Sequence, residues 1–307
     1  MGWVGYAGPM STVFNRFGDY LLRLAFASEF KRAGLMASSI PLSFGRVTYL
    51  HRKSEAGPIS DAVVMLHGAG ADKTGWVRFA TYVHARFQLV IPDLPGHGDS
   101  AADSNLDYGI DAQAERLREL LRALHIERVH LIANSMGGAI ALQLAHASPD
   151  LVSSLVLIDV AGVDATPSWL RLHVAETGVN PMLEIHTAAD YRAMMCIGME
   201  SPPYIPGLFL SALARDFSKR SAINQKIAAD IEKDLDKTEI LQDIATPSLV
   251  IWGAADRITH VDDAELLHQR LRDSRKLVLD GVGHVPMVEA PKRIAAACNA
   301  FYKEILG

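Results

Sequence analysis

Short runs of β-branched and aliphatic residues recur along the chain, separated by longer stretches whose apolar positions return every three or four residues. The runs Val47–His51, Val63–His67, Leu89–Pro92, Val129–Ala133, Leu155–Asp159, Leu249–Trp252 and Lys276–Leu279 read as strands. The central ones are apolar almost throughout, as strands covered on both faces of a parallel sheet must be. Between them, Ala112–Leu124 places Leu117, Leu120, Leu121 and Leu124 at helical spacing, and Met136–Ala147 reads as a second helix that stops before Pro149. This alternation predicts an α/β fold with a doubly wound, mostly parallel sheet. It breaks once. From 161 to 245 no convincing strand occurs, while helical stretches flank the cluster Pro202-Pro203-Tyr204-Ile205-Pro206. A segment of that length is too long for a loop. It predicts a helical cap inserted between two core strands, the core being residues 41–160 and 246–307.

Residues 1–40 precede this pattern. Val13, Phe14, Phe17, Tyr20, Leu21 and Leu24 recur at helical spacing, with Asn15, Arg16, Asp19 and Arg23 largely on the other side. The segment carries Arg16, Arg23, Lys31 and Arg32 against Asp19 and Glu29, a local net of +2 in a chain whose net charge is −5. Aromatics interleaved with basic residues suit a helix lying in a lipid headgroup layer. A helix packed on its own core, or on a second copy in a homodimer, has the same pattern. No run of about 20 uncharged apolar residues exists, so no membrane span is expected. Charges at Arg16, Asp19 and Arg23 interrupt the only apolar stretch that resembles a secretory signal. The expected location is therefore cytoplasmic or peripheral to a membrane.

Composition adds mostly exclusions. The chain has 307 residues, 49% hydrophobic and 21% charged, ordinary for a folded protein with a large core. Its acidic balance argues against a nucleic-acid partner. Cys196 and Cys298 are the only cysteines and form no CxxC pair. They read as free thiols, with a single bridge left open. No Cys/His cluster or HExxH occurs, so no metal is expected. Gly68-Ala69-Gly70 lacks the spacing of a phosphate-binding loop, since position 73 is Lys73. The turn-rich Asp93-Leu-Pro-Gly-His-Gly-Asp-Ser100 reads as a loop at the sheet edge with no catalytic part.

The chemistry concentrates in Val129-His-Leu-Ile-Ala-Asn-Ser135-Met-Gly-Gly-Ala. A buried strand runs into a tight turn and then a helix, the context that presses a serine hydroxyl outward as a nucleophile. The first small residue is Ala133 where glycine is usual. A serine hydroxyl needs a base, and the base an orienting acid. His284, in Asp280-Gly-Val-Gly-His-Val-Pro-Met after the last strand, is the one histidine placed to reach a sheet edge. Asp256 follows the strand Leu249–Trp252 through a turn opened by Gly253. Asp159, at the end of the preceding strand, is its competitor. Oxyanion donors are expected from the backbone N–H groups of Met136, directly after the nucleophile, and Ala69, in the loop His67-Gly68-Ala69-Gly70. An ordinary strand–turn–helix and a structural glycine turn are the plain alternatives. In the insertion, Met194, Met195, Tyr204 and Leu208, with Met182, Met199, Ile205 and Phe209 nearby, form a candidate acyl-binding lining. Mutual packing of the cap helices explains them equally well.

Taken together, HGAGADKTGW, PDLPGHGDS, ANSMGGAIALQLA, PPYIP, IWGAADRI and GVGHVPMVEAP resemble the α/β-hydrolase superfamily. Within it, the chain looks like the bacterial family V lipases, a group similar to a membrane-attached phospholipase A and to a mammalian membrane monoacylglycerol lipase. The resemblance runs from about Gly45 to the C-terminus. It implies Ser135 as nucleophile, Asp256 as acid, His284 as base, a helical cap, no cofactor, and an ester or lipid substrate. It also points to an N-terminal helix held at a membrane. One departure is Ala69, where relatives usually carry a bulky aromatic, so chain-length preference does not transfer. Carbon–carbon bond hydrolases of ring-cleavage dienoates share N-S-M-G-G but usually place tryptophan after the catalytic histidine, where this chain has Val285. Dehalogenases and epoxide hydrolases use aspartate at the position of Ser135. A non-catalytic binding protein on the same fold is the alternative outside enzymes.

Overall fold

The computed structural model describes residues 9–54 and 61–307, with side chains from residue 16 onward. A long helix α1 (Pro9–Arg32) leads into the hairpin β1 (Met36–Leu42) and β2 (Gly45–Arg52). Then come β3 (Asp61–Leu66), a single turn α2 (Val77–Ala80), β4 (Gln88–Pro92), α3 (Ile110–Ala123), β5 (Arg128–Asn134), α4 (Met136–Ala147) and β6 (Val152–Ile158). Four helices follow, α5 (Trp169–Thr177), α6 (Ala188–Gly198), α7 (Gly207–Lys219) and α8 (Ser221–Ile231). The chain closes with β7 (Ser248–Gly253), α9 (Asp262–Arg270), β8 (Ser274–Leu279), α10 (Pro286–Glu289) and α11 (Pro291–Leu306).

The strands make one sheet in the order β1-β2-β4-β3-β5-β6-β7-β8. From β4 to β8 every pairing is parallel, while β1 and β2 are antiparallel additions at one edge. The predicted doubly wound sheet is present. Alternate residues of a central strand enter different cores because the crossover helices cover both faces. Val64 and Leu66 pack with Leu131, Leu117, Leu121, Ile140 and Leu144 on one side. Val63 and Met65 pack with Ile132, Val156, Trp76, Phe79 and Phe301 on the other. Each fully buried side chain of this size contributes about 1.5–3 kcal/mol.

One strand escapes sequence reading. β1 is Met-Ala-Ser-Ser-Ile-Pro-Leu, with Met36 half exposed, and it pairs only with β2. An edge strand with a wet face needs no apolar run and tolerates Pro41. Cys196 and Cys298 are free, the first exposed and the second buried.

The N-terminal helix also departs from the simple two-faced expectation. Asp19, expected on the solvent side, pairs with Arg215 of α7 at 2.5 Å. Gly18 is buried against Leu208, close enough that an added Cβ would lie 2.9 Å from its side chain. The docking face is therefore the small and acidic one, because only a residue without a side chain lets the two backbones approach. Phe17, Tyr20 and Leu24 are left exposed. Val13 and Phe14 lie outside the residues whose side chains are described. Among the described residues, no helix is long and apolar enough to cross a membrane.

Candidate active site

Ser135 sits between β5 and α4 with φ 55° and ψ −122°, a conformation that L-residues rarely adopt. Its N–H donates to Ile158 O at 3.0 Å, which ties the turn to the end of β6. The glycines after it are sterically required. A Cβ at Gly137 would lie 2.7 Å from Leu66 O, and one at Gly138 would lie 2.8 Å from the Val160 side chain. The strained turn thus exists because α4 can press against β3 and the segment after β6 only through bare backbone.

His284 and Asp256 meet from separate loops. His284 Nδ1 lies 2.7 Å from Asp256 Oδ2. A carboxylate can only accept, so Nδ1 carries the hydrogen and Nε2 is left to act as a base. Asp256 Oδ2 also accepts from Thr259 Oγ1 at 2.6 Å, and Oδ1 accepts from the N–H groups of Ile258 and Thr259 at 2.7 and 3.2 Å. Burial pushes the Asp256 carboxyl up, but the His284 charge and these donors outweigh it and hold it below the usual carboxylate range. The loops interlock closely: a Cβ at Gly253 would stand 2.1 Å from Gly283 O. His284 N donates to Gly198 O at 2.8 Å, and Gly283 N donates to Glu289 Oε1 at 2.8 Å. Asn134 bridges elbow and base, its Nδ2 donating to Ile158 O at 3.1 Å and His284 O at 3.0 Å.

Asp159, the competing acid, lies close by but accepts from Gly253 N at 2.8 Å rather than from His284. Among the described residues, Asp159, Asp256 and His284 are the group near enough to share a cation. Two of the three already spend their facing atoms on each other.

The loop over the nucleophile is held from behind. His67 Nδ1–H donates to Gly68 O at 2.8 Å, and His67 Nε2 accepts from Leu94 N at 3.0 Å. With both ring nitrogens committed and the ring buried, burial pushes the imidazole below its ordinary range, so it stays neutral. Lys73 Nζ reaches Asp93 Oδ2 at 2.5 Å and Asp99 Oδ2 at 2.8 Å. Asp93 also accepts from Lys73 N, Thr48 Oγ1 and Asp99 N. A Cβ at Gly68 would lie 3.0 Å from Ser135 Cβ, so glycine lets this loop cross directly above the serine. Ala69 lines the cavity there. Met136 begins α4, where a first-turn N–H has no intrahelical acceptor.

A cavity of about 470 Å³ opens over Ser135 and His284. Met194, Met195 and Tyr204 line it, together with Met182, Met199 and Phe217. Leu208 does not: it faces α1 across Gly18, on the side of α7 turned away from the cavity. Phe26 and Glu29 of α1 also reach the cavity wall. A second depression, about 600 Å³ around Arg118, His125 and Pro149, lies at the opposite ends of the strands, away from Ser135 and His284.

Sequence reasoning passed over Thr259, Asn134, Lys73 and Asp93. Thr259 stands three residues after Asp256, the spacing of a side chain closing its own turn, and that signal was readable. The Lys73–Asp93 pairing spans 20 residues and had no local signal.

Residues 63–297 match the sequence profile described as "Alpha/beta hydrolase family". The chain is 32% identical over 277 residues to Lipase 3 of Moraxella sp. (strain TA144), covering 89% of this chain and 86% of that protein. The same identity and coverage hold for Lipase 1 of Psychrobacter immobilis. Among solved structures, it is similar to a membrane phospholipase A described as a bacterial virulence factor. There the identity is 32% and the TM-score 0.90, over 95% of this chain and 93% of that one.

Proposed function

The chain belongs to the alpha/beta hydrolase family, and from that premise we propose that Ser135, His284 and Asp256 are the nucleophile, base and acid of its ester hydrolysis. The protein is a carboxylic ester hydrolase of the esterase and lipase kind. The observation that carries the residue assignment is the 2.7 Å contact between His284 Nδ1 and Asp256 Oδ2, beside a serine forced into a positive-φ turn on the same cavity.

The steps follow from that arrangement. Ser135 Oγ attacks the acyl carbonyl as His284 Nε2 takes its proton, and Asp256 stabilises the imidazolium that forms. The carbonyl oxygen becomes an oxyanion and accepts from the N–H groups of Ala69 and Met136, a contribution of about 2.7–4 kcal/mol per donor where it has been measured in other serine hydrolases. Collapse expels the alcohol with the proton from His284, and water then repeats the sequence on the acyl-enzyme. No cofactor enters any step.

The segment 161–245 acts as a cap, and its methionines receive the acyl chain. A volume of about 470 Å³ suits a single chain better than a whole triacylglycerol. The lipase and phospholipase names of the relatives favour lipid esters over carbon–carbon cleavage. Peripheral membrane contact is the accompanying reading. Phe17, Tyr20 and Leu24 are exposed on α1, and Arg16, Arg23, Lys31 and Arg32 are exposed along the same helix. Tyr204, 85% exposed, stands at the cavity mouth close to the helix that carries Leu208.

The test is a hydrolysis panel of p-nitrophenyl esters, monoacylglycerols, triacylglycerols and phospholipids, with Ser135→Ala as control. Turnover of at least one acyl ester, lost by orders of magnitude in Ser135→Ala with the fold intact, is expected. Activity surviving in Ser135→Ala would refute the assignment.

A further inference from the structure

The mechanism leaves one group beside the site unused. Asp159, directly after β6, is fully buried and sits at φ 46°, a backbone conformation Asp tolerates but few other residues do. Its Oδ1 accepts from Gly253 N at 2.8 Å, while no donor reaches Oδ2. A carboxylate oxygen of Asp159, one of Asp256 and a ring nitrogen of His284 all lie within 4.8 Å of one another. Two ionised carboxylates that close, with water excluded, repel strongly, and one imidazolium cannot neutralise both. Asp256 is the ionised member, since its two oxygens already accept from His284, Thr259 and Ile258.

We infer that Asp159 is a neutral carboxylic acid whose Oδ2–H donates to the Asp256 carboxylate, making it a positioning residue for the acid of the site. The titratable groups that face it come from two loops and a helix: Asp256 after β7, His284 after β8 and Glu289 on α10. Burial, then the Asp256 charge, push the Asp159 carboxyl well above the usual range, and Glu289 adds to this; only the Gly253 N–H opposes them. The sign is definite. A carboxyl whose pKa is raised stays protonated at neutral pH, and the oxygen that lacks a donor is the one free to hold the proton. Donation to Asp256 gives that carboxylate one more fixed partner. It also draws negative charge away from that carboxylate, through which Asp256 acts on His284.

This inference rests on the proposed roles of Asp256 and His284, and two measurements separate it from them. The first needs no turnover. Infrared difference spectra at pH 7 between the wild type and Asp159→Asn should show loss of one protonated-carboxyl C=O stretch that shifts in D₂O. The second is the pH dependence of kcat/KM on a short p-nitrophenyl ester. Asn keeps both a neutral donor and an acceptor and accepts a positive φ, so Asp159→Asn should stay within about threefold of wild type with its acid limb unmoved. Asp159→Ala removes the donor. It should lower kcat about 10- to 100-fold at unchanged KM, the scale of one hydrogen bond to a charged group, and shift the acid limb to higher pH. Absence of the infrared band, or an acid limb displaced to lower pH in Asp159→Asn, means that Asp159 is ionised and overturns the inference. Wild-type kcat in a folded Asp159→Ala would remove its positioning role. A wild type with no esterase activity would refute the functional reading instead, and the infrared result would still stand.

Discussion

Replacing Lys73 by Met should damage this protein far more than a surface charge change. Lys73 and Asp93 side chains are 7% and 0% exposed, and their contact is 2.5 Å. Met preserves most of the side-chain length and removes the cation. Asp93 then keeps three donors, from Lys73 N, Thr48 Oγ1 and Asp99 N, and loses its counter-charge. Breaking a buried pair by removing one partner costs about 3–5 kcal/mol, because the other charge stays buried. Unfolding entropy of about 2.1 cal/mol/K per residue gives about 0.6 kcal/mol/K for a chain this long, so the melting temperature should fall by about 5–8 °C. The pH dependence has a definite sign. Although burial pushes the Asp93 carboxyl up, Lys73 outweighs it and holds the group below its usual range. The stability from such a group is fully present above the unfolded pKa of about 3.9 and is lost as pH falls through the lower folded value. The pair is therefore intact from pH 6 to 8 in the wild type. In Lys73→Met, burial is opposed only by the remaining hydrogen-bond donors and raises Asp93 relative to the wild type, so the deficit should shrink between pH 7 and 5 as that carboxyl takes up a proton. Urea denaturation followed by tryptophan fluorescence measures this, since Trp76 lies three residues away and is fully buried. Adding Asp93→Asn closes a double-mutant cycle and should recover part of the loss. A deficit under about 1 kcal/mol at pH 7, or additive single effects, would refute the reasoning.

Two further outcomes follow from the exposed and cavity-lining residues. The triple variant Phe17→Glu, Tyr20→Glu, Leu24→Glu should abolish sedimentation with anionic liposomes while sparing hydrolysis of a short soluble ester. It is a cleaner test than deleting residues 1–30, because Phe26 and Glu29 belong to the cavity wall. Sedimentation unchanged in the triple variant, or absent in the wild type at low salt, would place the helix in protein packing alone. Met194→Lys should shift preference toward shorter acyl chains, whereas a uniform loss that tracks a fall in melting temperature would assign Met194 to packing of the cap helices.

The candidate site is unevenly legible in the sequence, and the difference is one of range. Ser135 is readable because strand, turn and helix are contiguous and the glycines at 137 and 138 mark a close approach within a few residues. The core strands are readable because burial on both faces demands unbroken apolar runs. β1 is not, since an edge strand with one wet face needs neither an apolar run nor freedom from proline.

What the sequence by itself determined is local: a doubly wound sheet, a serine in a tight strand–turn–helix, and histidine and aspartate residues in the loops after later strands. The turn opened by Gly253 favours Asp256 over Asp159 along the chain, but both follow parallel neighbouring strands, and which carboxylate meets His284 is decided by packing between loops. Tertiary structure separates them through Gly253, whose bare backbone admits Gly283 at a distance no side chain would allow and whose N–H occupies Asp159 instead. The same holds for α1. Its periodicity marks a helix with an apolar side, but only its contact with α7 decides that Gly18 and Asp19 face the protein while Phe17, Tyr20 and Leu24 face out. Periodicity fixes which residues share a face; the partner that covers a face is chosen by packing between segments distant in the chain.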